Sequence, residues 1–160
     1  MDKTVNIVFS GTGGFGIITA SDICASAAML SGYDVKKADI RGIAKRGGFV
    51  MSSVRYGEKV FSPKVEPGTA HFLISINSVG KPPALLSEKG ISIDITPDLI
   101  KKYGRHSNLF ALGILSEYLH FDRENWLLAI KGRFMDGVMT LNTHIFLEGR
   151  DTCSTKRSVV

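Results

Sequence analysis

The stretch VNIVFS at residues 5–10 is followed directly by the glycine-rich turn GTGGFG at residues 11–16. An apolar run that ends in closely spaced glycines is typical of a buried strand that passes into a helix. Ile17, Ala20 and Cys24 then recur at helical spacing. These residues predict a strand, a turn and a crossover helix, which together form the beginning of an α/β domain.

A second glycine-rich turn, RGIAKRGG at residues 41–48, lies one helix and one strand further along the chain. Backbone N–H groups at a strand-to-helix turn suit phosphate or carboxylate, and a guanidinium group can bind either one through paired hydrogen bonds. The two turns predict a site for an anionic ligand, or for a partner subunit that carries one. The residues expected to face the ligand or cofactor are Gly11, Gly13, Gly14, Gly16, Arg41, Arg46, Gly47 and Gly48.

Two purely structural explanations of these turns stay open. The first glycines can serve only to let the helix pack closely on the sheet, and the second turn can be a solvated loop. No nucleophile, acid–base pair or metal-ligand spacing stands out in the chain, so its catalytic residues are unknown and no metal is expected. The lack of a catalytic set is more typical of a subunit than of a complete enzyme.

Apolar runs and turn residues predict the rest of the fold as α/β. The expected architecture is a mostly parallel sheet with an added antiparallel hairpin formed by residues 49–56 and 59–61. The crossover to a second strand at 33–40 is expected to be right-handed. Further elements are expected as strands at 71–76 and 91–95, a short helix at 84–89, and helices at 109–119, 123–134 and 139–147. Residues 1–150 are predicted to form one domain and residues 151–160 a flexible tail.

The composition limits the classes of partner. A formal net charge of +5 is mild for 160 residues, and the basic clusters lack the interleaved aromatic residues that single-strand nucleic-acid binders use, so no nucleic acid is expected. No apolar run reaches about 20 residues, the length of a membrane helix, and no leader precedes the first strand. Cys24 and Cys153 do not form an iron–sulfur spacing. We expect a cytoplasmic protein that does not contact a membrane.

The order of motifs along the chain resembles the gamma-type domain of 2-oxoacid:ferredoxin oxidoreductases. The motifs that carry the resemblance are GTGGFG at 11–16, GIAKRGGFV at 42–50, SVRYG at 53–57 and VFSP at 60–63. Within that family, the serine and the arginine-aromatic-glycine after the second turn are most similar to the indolepyruvate ferredoxin oxidoreductase beta subunit. The pattern also includes Asn108, Leu112, Gly113, Asn142 and Gly149, so the resemblance covers nearly the whole chain.

The resemblance implies a three-layer Rossmann-like α/β domain. It also implies a subunit without cofactors of its own, bound to a larger subunit that carries thiamine diphosphate and 4Fe–4S clusters. Complexes of the family oxidatively decarboxylate a 2-oxoacid with coenzyme A and reduce ferredoxin, and the indolepyruvate branch acts on aryl pyruvates. The isolated chain is then expected to be inactive, and both glycine turns would face the partner's active site. Two alternatives are a stand-alone Rossmann-like module that binds a nucleotide or CoA, and a divergent non-catalytic paralogue.

Three positions and one segment depart from the family's pattern. Phe15 stands where the family usually has glutamine, His71 where a strand usually carries an acid, and Asn77 where it usually has glutamate. The segment 79–90 is short, because a helix and a strand usual in the family are missing before residue 91. Each departure removes a polar group or an element near the expected ligand edge, which is why the divergent paralogue is kept as an alternative.

Overall fold

The computed structural model describes residues 4–42, 47–78 and 84–157. Five strands and five α-helices alternate irregularly along these residues. The elements are β1 (Val5–Thr12), α1 (Ile17–Leu30), β2 (Asp34–Arg41), β3 (Phe49–Gly57), β4 (Ala70–Ile76), β5 (Leu86–Ile95), α2 (Pro97–Tyr103), a 3-10 turn (Gly104–His106), α3 (Ser107–Ser116), α4 (Arg123–Arg133) and α5 (Asp136–Arg157). None of these helices is long and apolar enough to cross a membrane.

The five strands form one mixed sheet in the order β2-β3-β1-β4-β5. β1 pairs in parallel with β4, and β4 with β5, whereas β3 is antiparallel to both of its neighbours. Four strands therefore run in one direction and only β3 is reversed. The predicted α/β class with a mostly parallel sheet and an added antiparallel element is confirmed.

The predicted partner of the antiparallel strand is wrong. β3 forms its hairpin with the preceding strand β2, pairing Arg41 with Val50 at one end and Asp34 with Gly57 at the other. Residues 58–69 contain no strand; Val60 donates its N–H to the Asp34 carboxylate at 2.9 Å instead of to a ladder. Both edges of β3 are occupied, one by β1 and the other by β2, so no edge is left with which residues 59–61 could pair. The second glycine turn is consequently the loop of this β2–β3 hairpin.

Two further boundaries differ from the sequence prediction. The short helix expected at 84–89 is wrong, because β5 begins at Leu86 and pairs with Ala70 of β4. The predicted end of the last helix at residue 147 and the start of a flexible tail at residue 151 are corrected as well, since α5 continues to Arg157 and buries Cys153. The extent of the domain over residues 1–150 stays a prediction.

The main core lies on one face of the sheet. Ile7 and Phe9 of β1 are fully buried there beneath α1 and α3, and Trp126 of α4 and Phe146 of α5 are fully buried behind them. α5 packs on α3 and α4 packs on α1, so the sheet, the α1–α3 pair and the α4–α5 pair form three layers. The other face of the sheet holds only a small apolar cluster around Val8, and no described helix covers it.

Two glycines allow α3 and α5 to cross at close range. A Cβ atom on Gly113 of α3 would lie 2.1 Å from the Phe146 carbonyl oxygen of α5, and one on Gly149 would lie 2.2 Å from the Phe110 carbonyl oxygen of α3. Each helix therefore presents a glycine to the backbone of the other. This contact explains why Gly149 lies inside a helix: it is required for packing and does not end the helix.

We expect Gly149→Ala to destabilise the protein, because the new methyl group would push α5 away from α3. The loss in the free energy of unfolding should be about 2–3 kcal/mol, as for other overpacked contacts. Gly132→Ala in α4 is the matched control, since nothing lies within 4 Å of its Cβ position. That variant should gain about 0.5–1 kcal/mol from helix propensity. Urea unfolding of the two variants measures both effects, and equal stability of the two would contradict this account of the crossing.

Candidate functional site

The carboxyl ends of β1, β2, β4 and β5 and the amino end of β3 meet at one edge of the sheet. Ligands of open α/β sheets bind at this edge, where connections from neighbouring strands diverge. In this sheet α1 connects β1 to β2, which lies on one side of β1, whereas β4 lies on the other side of β1. The two strand ends are joined, because the Thr12 hydroxyl donates a hydrogen bond to the Asn77 carbonyl at 2.5 Å. The fold thus places the candidate site between these loops.

The two glycine turns contact one another at this edge. The Gly13 N–H donates to the Gly48 carbonyl at 2.8 Å, and the Gly42 N–H donates to the Phe49 carbonyl at 2.7 Å. Because β3 pairs with β1 as well as with β2, the start of β3 after the hairpin loop lies next to the first turn. The Gly13 N–H is used by the protein itself and is not free for a ligand.

A cleft of about 400 Å³ opens beside the first turn. Its walls are Gly13, Gly14, Gly16, Arg41, Val50 and the first turn of α1, formed by Ile17, Ile18 and Thr19. The first N–H groups of a helix have no acceptor within the helix, and α1 has neither an acidic residue in its first turn nor a side-chain cap. The cleft therefore combines the positive end of a helix with an exposed guanidinium, which favours an anionic group.

The structure brings together most of the residues that the sequence selected. Gly13, Gly14, Gly16 and Arg41 line the cleft, and the pair Gly47–Gly48 closes the hairpin loop next to the first turn. Gly11 does not line the cleft. It is buried against β4, where a Cβ atom would lie 2.0 Å from the Ile76 carbonyl oxygen. Arg46, with Lys45, lies outside the described residues.

Asn108 of α3 fixes the end of the first turn from behind. Its side-chain amide donates to the Gly16 carbonyl at 3.2 Å, and its own buried position leaves no room at Gly16. Gly16 has a φ of 71°, and a Cβ atom there would lie 2.4 Å from the Asn108 amide nitrogen. The sequence analysis named Asn108 only as part of the family pattern. Its contact with Gly16 spans 92 residues of chain, a separation that no local pattern reveals.

An ionic cluster on β2 holds the hairpin against α1. The Asp39 carboxylate accepts hydrogen bonds from the Ser52 hydroxyl at 2.5 Å and from Lys37, and Lys37 also pairs with Asp22 of α1 at 3.2 Å. Partial burial opposes ionisation of Asp39, but the hydrogen bonds from Lys37 and Ser52 outweigh it and lower the pKa of that carboxyl below its ordinary value. The sequence did not single out this cluster, because Ser52 belongs to a strand whose partner was predicted wrongly.

The three departures from the family's pattern lie in different places. Phe15 packs against the main core, which gives it a structural role in the first turn. Asn77 is exposed at the carboxyl edge with a φ of 48°, directly beside the candidate site. His71 lies near the opposite edge, where its Nδ1 accepts the Asn6 N–H at 3.0 Å. Only Phe15 and Asn77 are therefore close to the cleft.

The described residues hold no group of three or more His, Cys, Asp or Glu side chains that could bind a metal ion. Cys24 is fully buried in α1, and burial raises the pKa of its thiol far above the ordinary value. Cys153 is buried on α5. Neither cysteine is placed to ligate an iron–sulfur cluster together with other cysteines of the chain.

Comparison with known proteins identifies the family. The family described as pyruvate ferredoxin/flavodoxin oxidoreductase matches residues 6–92, more than half of the chain. The chain belongs to this family. Every residue that lines the cleft falls inside the matched segment.

The relatives at higher identity are indolepyruvate oxidoreductase subunits named IorB. The subunit from Thermococcus kodakarensis is 39% identical over 77 residues, and that from Pyrococcus horikoshii is 38% identical over 77 residues. Each match covers 48% of this chain but only 38% of the relative. The chain thus matches well under half the length of these curated relatives.

Solved structures share the fold over nearly the whole chain. The pyruvate oxidoreductase subunit PORC of Thermotoga maritima has a TM-score of 0.76 at 21% identity, covering 93% of this chain and 96% of that one. The 2-oxoglutarate:ferredoxin oxidoreductase of Magnetococcus marinus has a TM-score of 0.74 at 22% identity, covering 97% of this chain but 32% of that one. The same fold therefore occurs as a separate subunit and as one third of a longer chain.

We expect Gly16→Ala to destabilise the first turn strongly, because it adds both left-handed backbone strain and a clash with Asn108. The loss in the free energy of unfolding should be about 2–4 kcal/mol. Gly13→Ala is the control, since its Cβ would lie at an ordinary 3.4 Å from the Gly48 carbonyl oxygen. Gly13→Ala should lower the free energy of unfolding by less than about 1 kcal/mol. Thermal unfolding compares the variants, and a Gly16→Ala protein as stable as Gly13→Ala would contradict the described geometry.

The ionic cluster predicts a pH dependence of stability. Because the pKa of Asp39 is lower in the folded protein than in the unfolded chain, its contribution is present above about pH 4 and is lost as the pH falls through the folded value. Asp39→Asn should therefore be less stable than the wild type at pH 7, and the difference should shrink below about pH 4. Glu58→Gln, at an exposed carboxylate outside the cluster, is the control. Urea unfolding at several pH values measures the difference in the free energy of unfolding between the wild type and Asp39→Asn. A difference that stays constant with pH would contradict the role of Asp39.

Proposed function

We propose that this chain is a subunit of a 2-oxoacid:ferredoxin oxidoreductase, with an aryl pyruvate such as indolepyruvate as the substrate. The observation that carries the proposal is the family match over residues 6–92, which includes both glycine turns and every residue that lines the cleft. The IorB relatives at 38–39% identity favour the indolepyruvate branch. A cytoplasmic location is part of the same proposal.

The proposed reaction is carried out on cofactors of a larger partner subunit. A 2-oxoacid and coenzyme A give an acyl-CoA and carbon dioxide, and the two electrons released reduce two ferredoxin molecules. Thiamine diphosphate and iron–sulfur clusters on the partner would supply carbanion and electron-transfer chemistry. The described residues of this chain offer no metal-binding cluster, and burial raises the pKa of the Cys24 thiol above its ordinary value, so these residues fit a role beside the cofactors better than one that holds an iron–sulfur cluster.

The edge of the sheet that carries the two glycine turns is called the glycine edge below. The geometry supports a role in which this edge closes the active site of the partner subunit. The cleft presents the uncapped start of α1 and the guanidinium of Arg41, and both attract a carboxylate or a phosphate. The structure from Magnetococcus marinus was solved with 2-oxoglutarate, coenzyme A and succinyl-CoA, all of which carry such groups. We infer that the edge orients an anionic part of the substrate or of coenzyme A.

The direct test is affinity capture of the tagged chain from its native cells grown without oxygen. We expect a larger subunit with thiamine diphosphate and iron to be recovered with it, and the complex should reduce ferredoxin when supplied with indolepyruvate and coenzyme A. The isolated chain should not. Recovery of the chain alone would contradict the proposal. It would favour the stand-alone module instead if CoA or a nucleotide then raised the melting temperature in a concentration-dependent manner.

Arg41→Ala should lower kcat/KM of the complex by about tenfold or more, because a charge-assisted contact to an anionic group is lost. The melting temperature should change little, since Arg41 is exposed. Arg123→Ala is the matched control: Arg123 is exposed and starts α4 after Phe121, whose ring lies 5.0 Å from that of Tyr56 at the opposite edge of the sheet. It should leave kcat/KM unchanged. Equal activity of the two variants would exclude Arg41 from the site.

A further inference from the structure

The outer helical surface carries a concentration of exposed apolar side chains. Among the described residues, six of the ten exposed large apolar side chains lie at the end of α1, on α4 and around the start of α5. They are Met29, Leu30, Leu128, Met135, Val138 and Leu141. Met29, Leu30 and Leu128 line one cleft of this surface. Large exposed apolar areas mark interaction sites, so this surface has the character of an interface.

Helix α4 forms the centre of this surface. A cleft of about 470 Å³ separates it from α1 and another of about 380 Å³ separates it from α5, and Leu128 lines both. Leu128 is 54% exposed although apolar residues flank it on both sides. A partner that contacts α4 could therefore bury Leu128 together with the apolar residues of both clefts.

Two oppositely charged residues of α4, Glu124 and Lys131, flank this leucine. Glu124, Leu128 and Lys131 are spaced i, i+4 and i+7, so they lie on one face of the helix over two turns. Glu124 and Lys131 are both exposed and line the α4–α5 cleft. Neither has an ion-pair partner within the part of the chain that the structure describes.

This arrangement is complementary to itself. If two copies of α4 lie antiparallel with a two-fold axis near Leu128, Glu124 of each copy faces Lys131 of the other. The contact is then isologous, with an apolar centre and two opposite-charge pairs at its rim. A parallel arrangement would instead place like charges against each other. We propose that the face formed by α4, with the adjoining ends of α1 and α5, is a homodimer interface in which α4 pairs antiparallel with α4 of a second copy.

The proposal is tested on the full chain by sedimentation velocity over a range of concentrations at low salt. The wild type should self-associate. Leu128→Glu should weaken the dimer about tenfold or more, because it places a charge at the apolar centre. Phe61→Glu is the control, since Phe61 is 86% exposed in the segment that follows β3, outside this surface. Both variants change exposed positions, and thermal unfolding should confirm that each remains folded.

Charge reversal distinguishes self-pairing from any other use of the surface. Glu124→Lys places a basic residue on both sides of Leu128, and Lys131→Glu places an acidic residue on both sides. Either change sets like charges against each other in the antiparallel pair, so each variant alone should dimerise about tenfold more weakly than the wild type. An equimolar mixture of the two should form a heterodimer with all opposite charges paired, and the double variant E124K/K131E should dimerise like the wild type.

Three results would overturn the proposal: a wild type that stays monomeric, single reversals that dimerise normally, or a mixture that forms no heterodimer. A monomeric chain whose Leu128→Glu variant no longer captures the larger subunit would assign the face to that subunit. None of the association measurements uses the oxidoreductase reaction, so their failure would leave the proposed function unaffected.

Discussion

The insertion of antiparallel β3 between β1 and β2 is the constraint on which the rest of the structure depends. The reversed strand satisfies the backbone hydrogen bonds of both neighbours and brings the loop before it to the carboxyl edge of the sheet. The bond from the Gly13 N–H to the Gly48 carbonyl then fixes the two turns together. If β3 did not lie between β1 and β2, Arg41 at the end of β2 would not line the same cleft as the start of α1. The cleft would then lack its only described guanidinium group.

The layering explains why the chain presents an open edge and not a closed active site. Both helical layers lie on the same side of the sheet, so the cleft has a wall made by α1 and the hairpin but no second domain above it in the described chain. The described residues also hold no group of three or more His, Cys, Asp or Glu side chains that could bind a metal ion. The open edge leaves room for the proposed partner subunit, and the same fold also occurs within a longer chain.

The sequence predicted the parts of the fold that depend on local patterns. The run into the first turn and the period of α1 were sufficient to place β1, the turn and the crossover helix, and three of the four glycines selected there line the cleft. Features that depend on distant contacts were missed. The partner of β3 is β2, and not the residues that follow it. Gly149 fits a helix stop equally well until α3 is seen to pack against it. Asn108 acts on Gly16 across the fold.

The central claim, that the glycine edge is completed by a partner, is tested most directly by hydrogen–deuterium exchange of the isolated chain and of the purified complex. The amides of the first turn of α1 have no acceptor within the helix and should exchange quickly in the isolated chain. The account predicts that the amides of residues 17–19 and of the hairpin loop become strongly protected in the complex. Unchanged exchange at these amides, with protection confined to other surfaces, would contradict it.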